Sequence, residues 1–159
     1  MVVDLTLRQM ARGGIYDQLG GGFHGASLDD QWMVPSFEKT LSDNALLARV
    51  YTHAWQLRQE PFYRRIASET LEYLLRDLSD PGGGFYRGEG ADREDEGGFY
   101  LWAYDEVLSI APEATEYYGV TPDGNFKGKN VLSAKGDEPP GLSTEPRRKP
   151  TGKSHLYLR

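Results

Sequence analysis

Apolar residues recur at helical spacing in several stretches of this chain, with glycine-aromatic phrases between them. Residues 4–12 set Leu7, Met10 and Ala11 on one face, behind Asp4 or Thr6 as cap, and Gly13-Gly14 closes the segment. The longest pattern runs from Ser36 to Arg58. There Leu41, Ala45, Ala48 and Trp55 share one stripe, and Leu47, Tyr51 and Ala54 a second. So wide an arc predicts a helix buried on more than one side. Pro61 stands where a helix can open without needing its N–H. Ile66, Thr70, Leu71, Leu74, Leu75 and Leu78 predict the inner face that follows, and Arg65 with Glu69 and Glu72 with Arg76 predict outer pairs. Tyr104 to Ala111 predicts a short helix stopped by Pro112, and a further short one ends near Tyr118. Phe85-Tyr86 and Phe99 to Trp102 predict two short strands that pair across the turn between them.

The loops repeat. Gly20-Gly21-Gly22-Phe23-His24 returns as Gly82-Gly83-Gly84-Phe85-Tyr86, and a shortened echo follows at Gly97-Gly98-Phe99-Tyr100. A repeated unit of two helices and a glycine-aromatic turn is the mark of a repeat architecture. The fold expected is all-α: a partial α/α toroid of helical hairpins, with short β pairs in its glycine-rich loops. Those loops should gather at one mouth of the array, where sites are usually built.

Composition narrows the function. The chain has 159 residues, net charge −6 and no cysteine, so disulfides, thiol catalysis and thiolate metal sites are excluded within it. Residues 1–132 hold 12 basic and 21 acidic side chains; residues 133–159 hold 6 and 3. An acidic body lacks the basic stripe that nucleic acid requires. No apolar run approaches the ~18 residues of a membrane helix, and no secretory leader pattern opens the chain. A cytoplasmic protein with neither nucleic-acid nor membrane partner is expected.

Three motif-like stretches fail on context. Gly20-x-Gly22-x-x-Gly25 has the letters of a dinucleotide loop, but a helix precedes it where a strand is needed. Gly124 to Lys129 is one residue short of a phosphate loop, and Asn130 stands where a hydroxyl is required; a turn that orders Asn125 and Asn130 is expected instead. Asp92, Glu94, Glu96 and Gly97 match the start of a calcium loop, but Ala103 falls where the last carboxylate belongs. The three histidines show no ligand spacing. No metal or cofactor is expected.

The remaining chemistry is a set of carboxylates, amides and aromatics around the glycine loops. Asp17, His24, Glu38, Asp43 and Asp92 are the candidate catalytic groups. Trp32, Asn44, Tyr100 and Trp102 are the candidate binding groups. Aromatic faces cover the apolar side of a sugar ring while carboxylates and amides take its hydroxyls, so this set suits a carbohydrate. For Asp43 and Asn44, set between Leu41 and Ala45, hydrogen bonding to a neighbouring loop is the competing expectation.

The run GGIYDQLGGGFHGASLDDQWMVPSFEKTLSDNALLARVY (residues 13–51), the stretches GGGFYRGEGAD and EGGFYLW, and YGVTPDGNFKGKNVL resemble the thioredoxin-domain-containing proteins of the spermatogenesis-associated, YyaL-like group. The resemblance covers residues 4–132. It implies a thioredoxin-like domain joined to a six-hairpin α/α toroid, similar to that of N-acylglucosamine 2-epimerases and six-hairpin glycosidases. Carbohydrate binding or processing is the function so implied. Ser36 stands where the group has His, Gly90 where it has Asp, and Thr40 and Ser42 where it is more apolar. If the missing His and Asp serve catalysis, this copy is inactive; whether it is an enzyme stays open. Neither the thioredoxin domain nor the later hairpins are expected within these residues, since the pattern runs from residue 4 and ends at Leu132. Residues 1–132 are thus expected to form a partial toroid domain and residues 133–159 a disordered basic tail. The alternatives are a non-catalytic scaffold that packs against a thioredoxin-like domain or the missing toroid half, and a non-functional truncated fragment.

Overall fold

Thr40 decides where the longest helix begins. In the computed structural model, which describes residues 2–90, 97–139 and 156–157, the helix predicted from Ser36 starts at Leu41. Phe37 adopts φ 61°, outside the helical region. Thr40 then takes extended geometry, and its hydroxyl accepts from the Asp43 backbone N–H at 3.1 Å. This is N-capping by a residue type suited to it. Lys39–Thr40 (β1) precede the helix Leu41–Arg58.

Five helices span the described residues: α1 (Val2–Arg12), α2 (Leu41–Arg58), α3 (Pro61–Asp77), α4 (Tyr104–Ile110) and α5 (Ala114–Tyr117). Gln59, at φ 55°, ends α2 and donates its N–H to Trp55 O, and Pro61 opens α3. So short a link makes α2 and α3 an antiparallel pair. α1 crosses this pair: Tyr51 donates to Leu7 O at 2.6 Å, Tyr63 donates to Asp4, and Arg8 pairs with Glu60. The shared core is Leu7, Ala11, Ile15, Tyr16, Phe23, Tyr51, Phe62, Tyr63, Ile66 and Ala67. A second cluster joins Val107, Ala111, Ala114, Tyr118, Val120 and Leu132 around α4 and α5.

The protein is predominantly helical with one small antiparallel sheet. Its order is β1, then β2 (Gly88–Glu89), then β3 (Leu156–Tyr157), with Lys39 opposite Glu89 and Gly88 opposite Tyr157. The strand pairing expected from the sequence is different. Phe85 bridges to Ser79 and Trp102 to Asn130, while Gly98–Tyr100 form a 3-10 turn. The shortened glycine phrase is therefore a turn in itself and not half of a hairpin.

Two expected helix faces are also corrected. α2 buries Asn44, Ala48 and Tyr51 but turns Leu46, Val50 and Leu57 outward. It is covered on one side only. On α3, Leu71 and Leu75 are exposed, 46% and 64%. Tyr63 and Tyr73 occupy the inner side, together with Ile66, Ala67, Thr70 and Leu74. Leucine spacing alone points to both sides of this helix; the two large aromatic residues settle which one faces the core.

After Leu132 the chain runs along α1. Ala134 N–H donates to Arg12 O at 2.7 Å, and the Asp137 carboxylate meets Arg8 at 3.1 Å and Arg12 at 2.5 Å. Arg65 donates to the Asp137 carbonyl at 3.0 Å. The basic stretch thus begins with residues packed on the helical body. No described helix is long and apolar enough to cross a membrane.

Candidate functional site

Both full glycine phrases lie at one end of the α2–α3 pair, the start of α2 and the end of α3. The first is held there by Asn44, which is fully buried. Asn44 Oδ1 accepts from Phe23 N–H at 2.6 Å, and Nδ2 donates to Phe23 O and Thr40 O, both at 2.9 Å. Gly22 has φ 80°, and a Cβ there would lie 2.4 Å from the Tyr73 ring. Only glycine fits at that distance and backbone angle. The second phrase follows α3 directly: Tyr86 N–H donates to Leu78 O at 2.7 Å. The two phrases then diverge. Phe23 is fully buried against Tyr16 and Tyr51, whereas Phe85 is 44% exposed.

The first phrase forms one wall of a small cleft of about 50 Å³. Tyr16, Asp17, Gly20 and His24 line it from this loop, Phe99, Tyr100 and Trp102 from the third glycine phrase, and Pro35, Val131 and Leu132 close it. The His24 ring stands edge-on to Tyr100 at 4.7 Å and to Phe37 at 5.9 Å. Four of the expected site residues, Asp17, His24, Tyr100 and Trp102, therefore meet in one place.

Behind the cleft lies a buried ammonium. Lys39, 1% exposed, donates to Asp17 Oδ2 at 2.7 Å and to Gly21 O at 3.0 Å. Its Nζ sits 4.4 Å from the Tyr73 ring centre and 5.0 Å from that of Tyr100. Cation–π contact with these two rings adds to its ion pair with Asp17. On the far side Tyr73 donates to Glu89 Oε2 at 3.0 Å. Burial raises the Tyr73 hydroxyl well above its ordinary pKa, and the Glu89 carboxylate adds to this. Tyr100 is raised likewise, by burial first and then by Glu89, Asp17 and Asp77.

Asp17 goes the other way. Burial alone would push its carboxyl up, but the Lys39 ammonium, the Lys39 hydrogen bond and the Gly20 N–H outweigh it and hold the pKa at about 2. Oδ1 also takes the Leu19 N–H at 3.1 Å. Asp17 stays ionised at neutral pH, so it orients its neighbours and is no proton donor. Its folded pKa is depressed, so its stabilisation is present above the ordinary carboxyl value near 3.8 and is lost as pH falls toward 2. Wild type should therefore lose roughly 2 kcal/mol more than Asp17→Asn between pH 5 and pH 2. Urea denaturation of both proteins across that range checks it; parallel losses would refute the Asp17 assignment.

The other expected residues are placed elsewhere. Glu38 is exposed, and its carbonyl accepts from Gly25 N–H at 2.8 Å. Asp43 accepts from the Thr40 hydroxyl at 2.6 Å at the first turn of α2. Asn44's described bonds go to the Phe23 backbone and to the carbonyl of Thr40, the cap of its own helix. Trp32, at φ 63°, packs on the α1 core, and its carbonyl accepts from Ile15 N–H at 3.1 Å. Asp92 lies outside the described residues. Asn125 and Asn130 order the turn after α5: Asn125 bonds Val131 N–H and C=O, and Asn130 bonds Thr121 and Trp102. Among the described residues no group of three His, Asp or Glu is placed to hold a metal ion.

The candidate set left out Lys39, Tyr73 and Glu89. A signal for the first was present: Phe37 and Lys39 alternate with Glu38, and both are inward while Glu38 faces solvent.

The chain is thus a mainly helical protein with a glycine-loop cleft over a buried Asp–Lys–Tyr–Glu cluster. No family model matches the chain. Over 82% of its length it is similar to spermatogenesis-associated protein 20, with 41% identity to the protein of Homo sapiens and 37% to that of Mus musculus. An uncharacterized protein of Caenorhabditis elegans is 30% identical over 83% of the chain. The chain spans about one fifth of the length of these relatives.

Proposed function

We propose that this chain corresponds to part of a helical-hairpin toroid domain of the spermatogenesis-associated group, and that its cleft binds carbohydrate weakly. The convergence of Asp17, His24, Tyr100 and Trp102 from loops far apart in sequence is the observation that carries this reading. Aromatic walls and an ionised carboxylate are what a sugar edge requires. The cleft's size limits the affinity. About 50 Å³ has room for only about three to five waters, at about 10–15 Å³ each, so a ring can insert only an edge. Titration of tryptophan fluorescence with glucose should give a Kd near 1 mM, about 4 kcal/mol, and Trp102→Leu should abolish the response. Saturation at micromolar sugar would mean a deeper pocket, and no response at all would remove the carbohydrate reading.

A second reading, a non-catalytic scaffold that packs against further helical hairpins or a thioredoxin-like domain, is favoured by the outer stripe of α2. Leu46, Val50 and Leu57 recur there at helical spacing and are 62%, 41% and 83% exposed. A stripe of this kind marks an interaction surface. Replacing all three by Gln should lower concentration-dependent association in light scattering without lowering the melting temperature. A protein that is monomeric at every concentration before substitution would count against this reading.

A further inference from the structure

We propose that Arg8, Arg12 and Arg65 form an anion site, apart from the cleft, which Asp137 fills from within the chain and which a small phosphate- or carboxylate-bearing ligand can take over. The three guanidiniums come from α1 and α3 and gather around one ring: Arg8, Arg12 and Arg65 lie 5.2, 6.0 and 5.8 Å from the centre of Phe62. All three are half-buried. A guanidinium held against an aromatic face is oriented before any anion arrives and loses less freedom on binding one. The Asp137 carboxylate lies in this cradle. Its Oδ2 accepts from Arg8 at 3.1 Å, and its Oδ1 from Arg12 Nε at 3.2 Å and Nη2 at 2.5 Å. Both donors of Arg12 thus share a single oxygen. A guanidinium can give two oxygens a hydrogen bond each, and a phosphate has the oxygens to use both.

The carboxylate is a separable occupant. Other bonds dock the strap that carries it: Ser133 N–H to Tyr118 O at 3.1 Å, Ala134 N–H to Arg12 O at 2.7 Å, Lys135 N–H to Tyr117 O at 3.0 Å, and the Tyr117 hydroxyl to Gly136 O at 2.9 Å. Arg65 holds the Asp137 carbonyl, not its side chain. Removing the carboxylate therefore leaves the backbone in place and the cradle open. Arg8 would keep Glu60 and Asp4, and Arg65 would keep Glu69. Arg12 would lose the carboxylate that meets it among the described residues. Glu60 and Glu69 stand beside the same guanidiniums and oppose an incoming anion, so the site should bind at millimolar and not micromolar concentration.

Melting temperature against inorganic phosphate at pH 7, referenced to sodium chloride of equal ionic strength, measures the affinity. Asp137→Ala should show a saturable rise with a Kd of about 1–10 mM. The parent should bind on the order of tenfold more weakly, because its tethered carboxylate competes at millimolar effective concentration. Adding Arg12→Gln to Asp137→Ala should remove the saturable rise and leave only the gradual stabilisation that phosphate gives any folded protein. Should the alanine variant not fold, Asp137→Asn keeps the shape without the charge, and it too should bind phosphate more tightly than the parent. Equal affinity in parent and Asp137 variant, no saturable response in either, or a response unchanged by Arg12→Gln would each overturn the proposal.

Discussion

Lys39→Met should destabilise the protein by about 3–5 kcal/mol, the largest effect expected of any single polar substitution here. The methionine fills much of the same space, so the loss is electrostatic. Asp17 would keep its Leu19 and Gly20 N–H donors but face the protein interior without the ammonium now 2.7 Å away. The Gly21 carbonyl would lose a donor, and Tyr73 and Tyr100 a cation between their rings. Breaking one side of a buried pair strands the other, and that is the main cost. The double variant Lys39→Met with Asp17→Asn removes both charges. It should recover part of the loss, with a coupling of about 1–3 kcal/mol in a double-mutant cycle followed by urea denaturation. If the two single losses simply add, the pair is not the unit that holds this loop.

Asn44→Ala should cost about 3 kcal/mol. The side chain is fully buried and makes three hydrogen bonds to backbone, so its removal leaves the Phe23 N–H and C=O without those partners in a place water does not reach. Each stranded group costs roughly 1–3 kcal/mol. Asn44→Asp should cost at least as much, because a carboxylate oxygen would then face two carbonyls where an amide now donates. Melting curves of both variants decide the matter. A variant that melts as the parent does and has lost only sugar binding would return Asn44 to the site and remove it from the frame.

These two residues show how far the sequence could be read. Asn44 stood out as a polar residue between apolar ones, but its sequence neighbours cannot say whether it meets a ligand or the Phe23 loop upstream. Asp17 and Tyr100 were legible as chemistry because their loops carry repeated glycine and aromatic residues. Lys39 was harder: a lysine is rarely fully buried, and only the alternation of Phe37, Glu38 and Lys39 hints at it. Glu89 gives no local sign at all. It matters because β2 lays it opposite Lys39, a pairing between segments fifty residues apart.

Local pattern by itself determined the helices: Gly13-Gly14 ends the first, Pro61 opens the third, and the spacing of apolar residues places their cores within a few positions. It also determined that the glycine phrases are turns, since runs of glycine favour positive φ and punctuate helices. Tertiary structure decided the rest. Phe37 at φ 61° delayed the start of α2 by five residues. Tyr63 and Tyr73 took the inner face of α3 from Leu71 and Leu75, because large rings gain most from burial. Packing of the first and third glycine phrases against one another placed Asp17, His24, Tyr100 and Trp102 around one opening, and sheet pairing laid Glu89 opposite the buried Lys39 that pairs with Asp17 behind it. Spacing along a chain fixes what a segment can do alone; which segments meet depends on shapes and charges that come together only when the chain is folded.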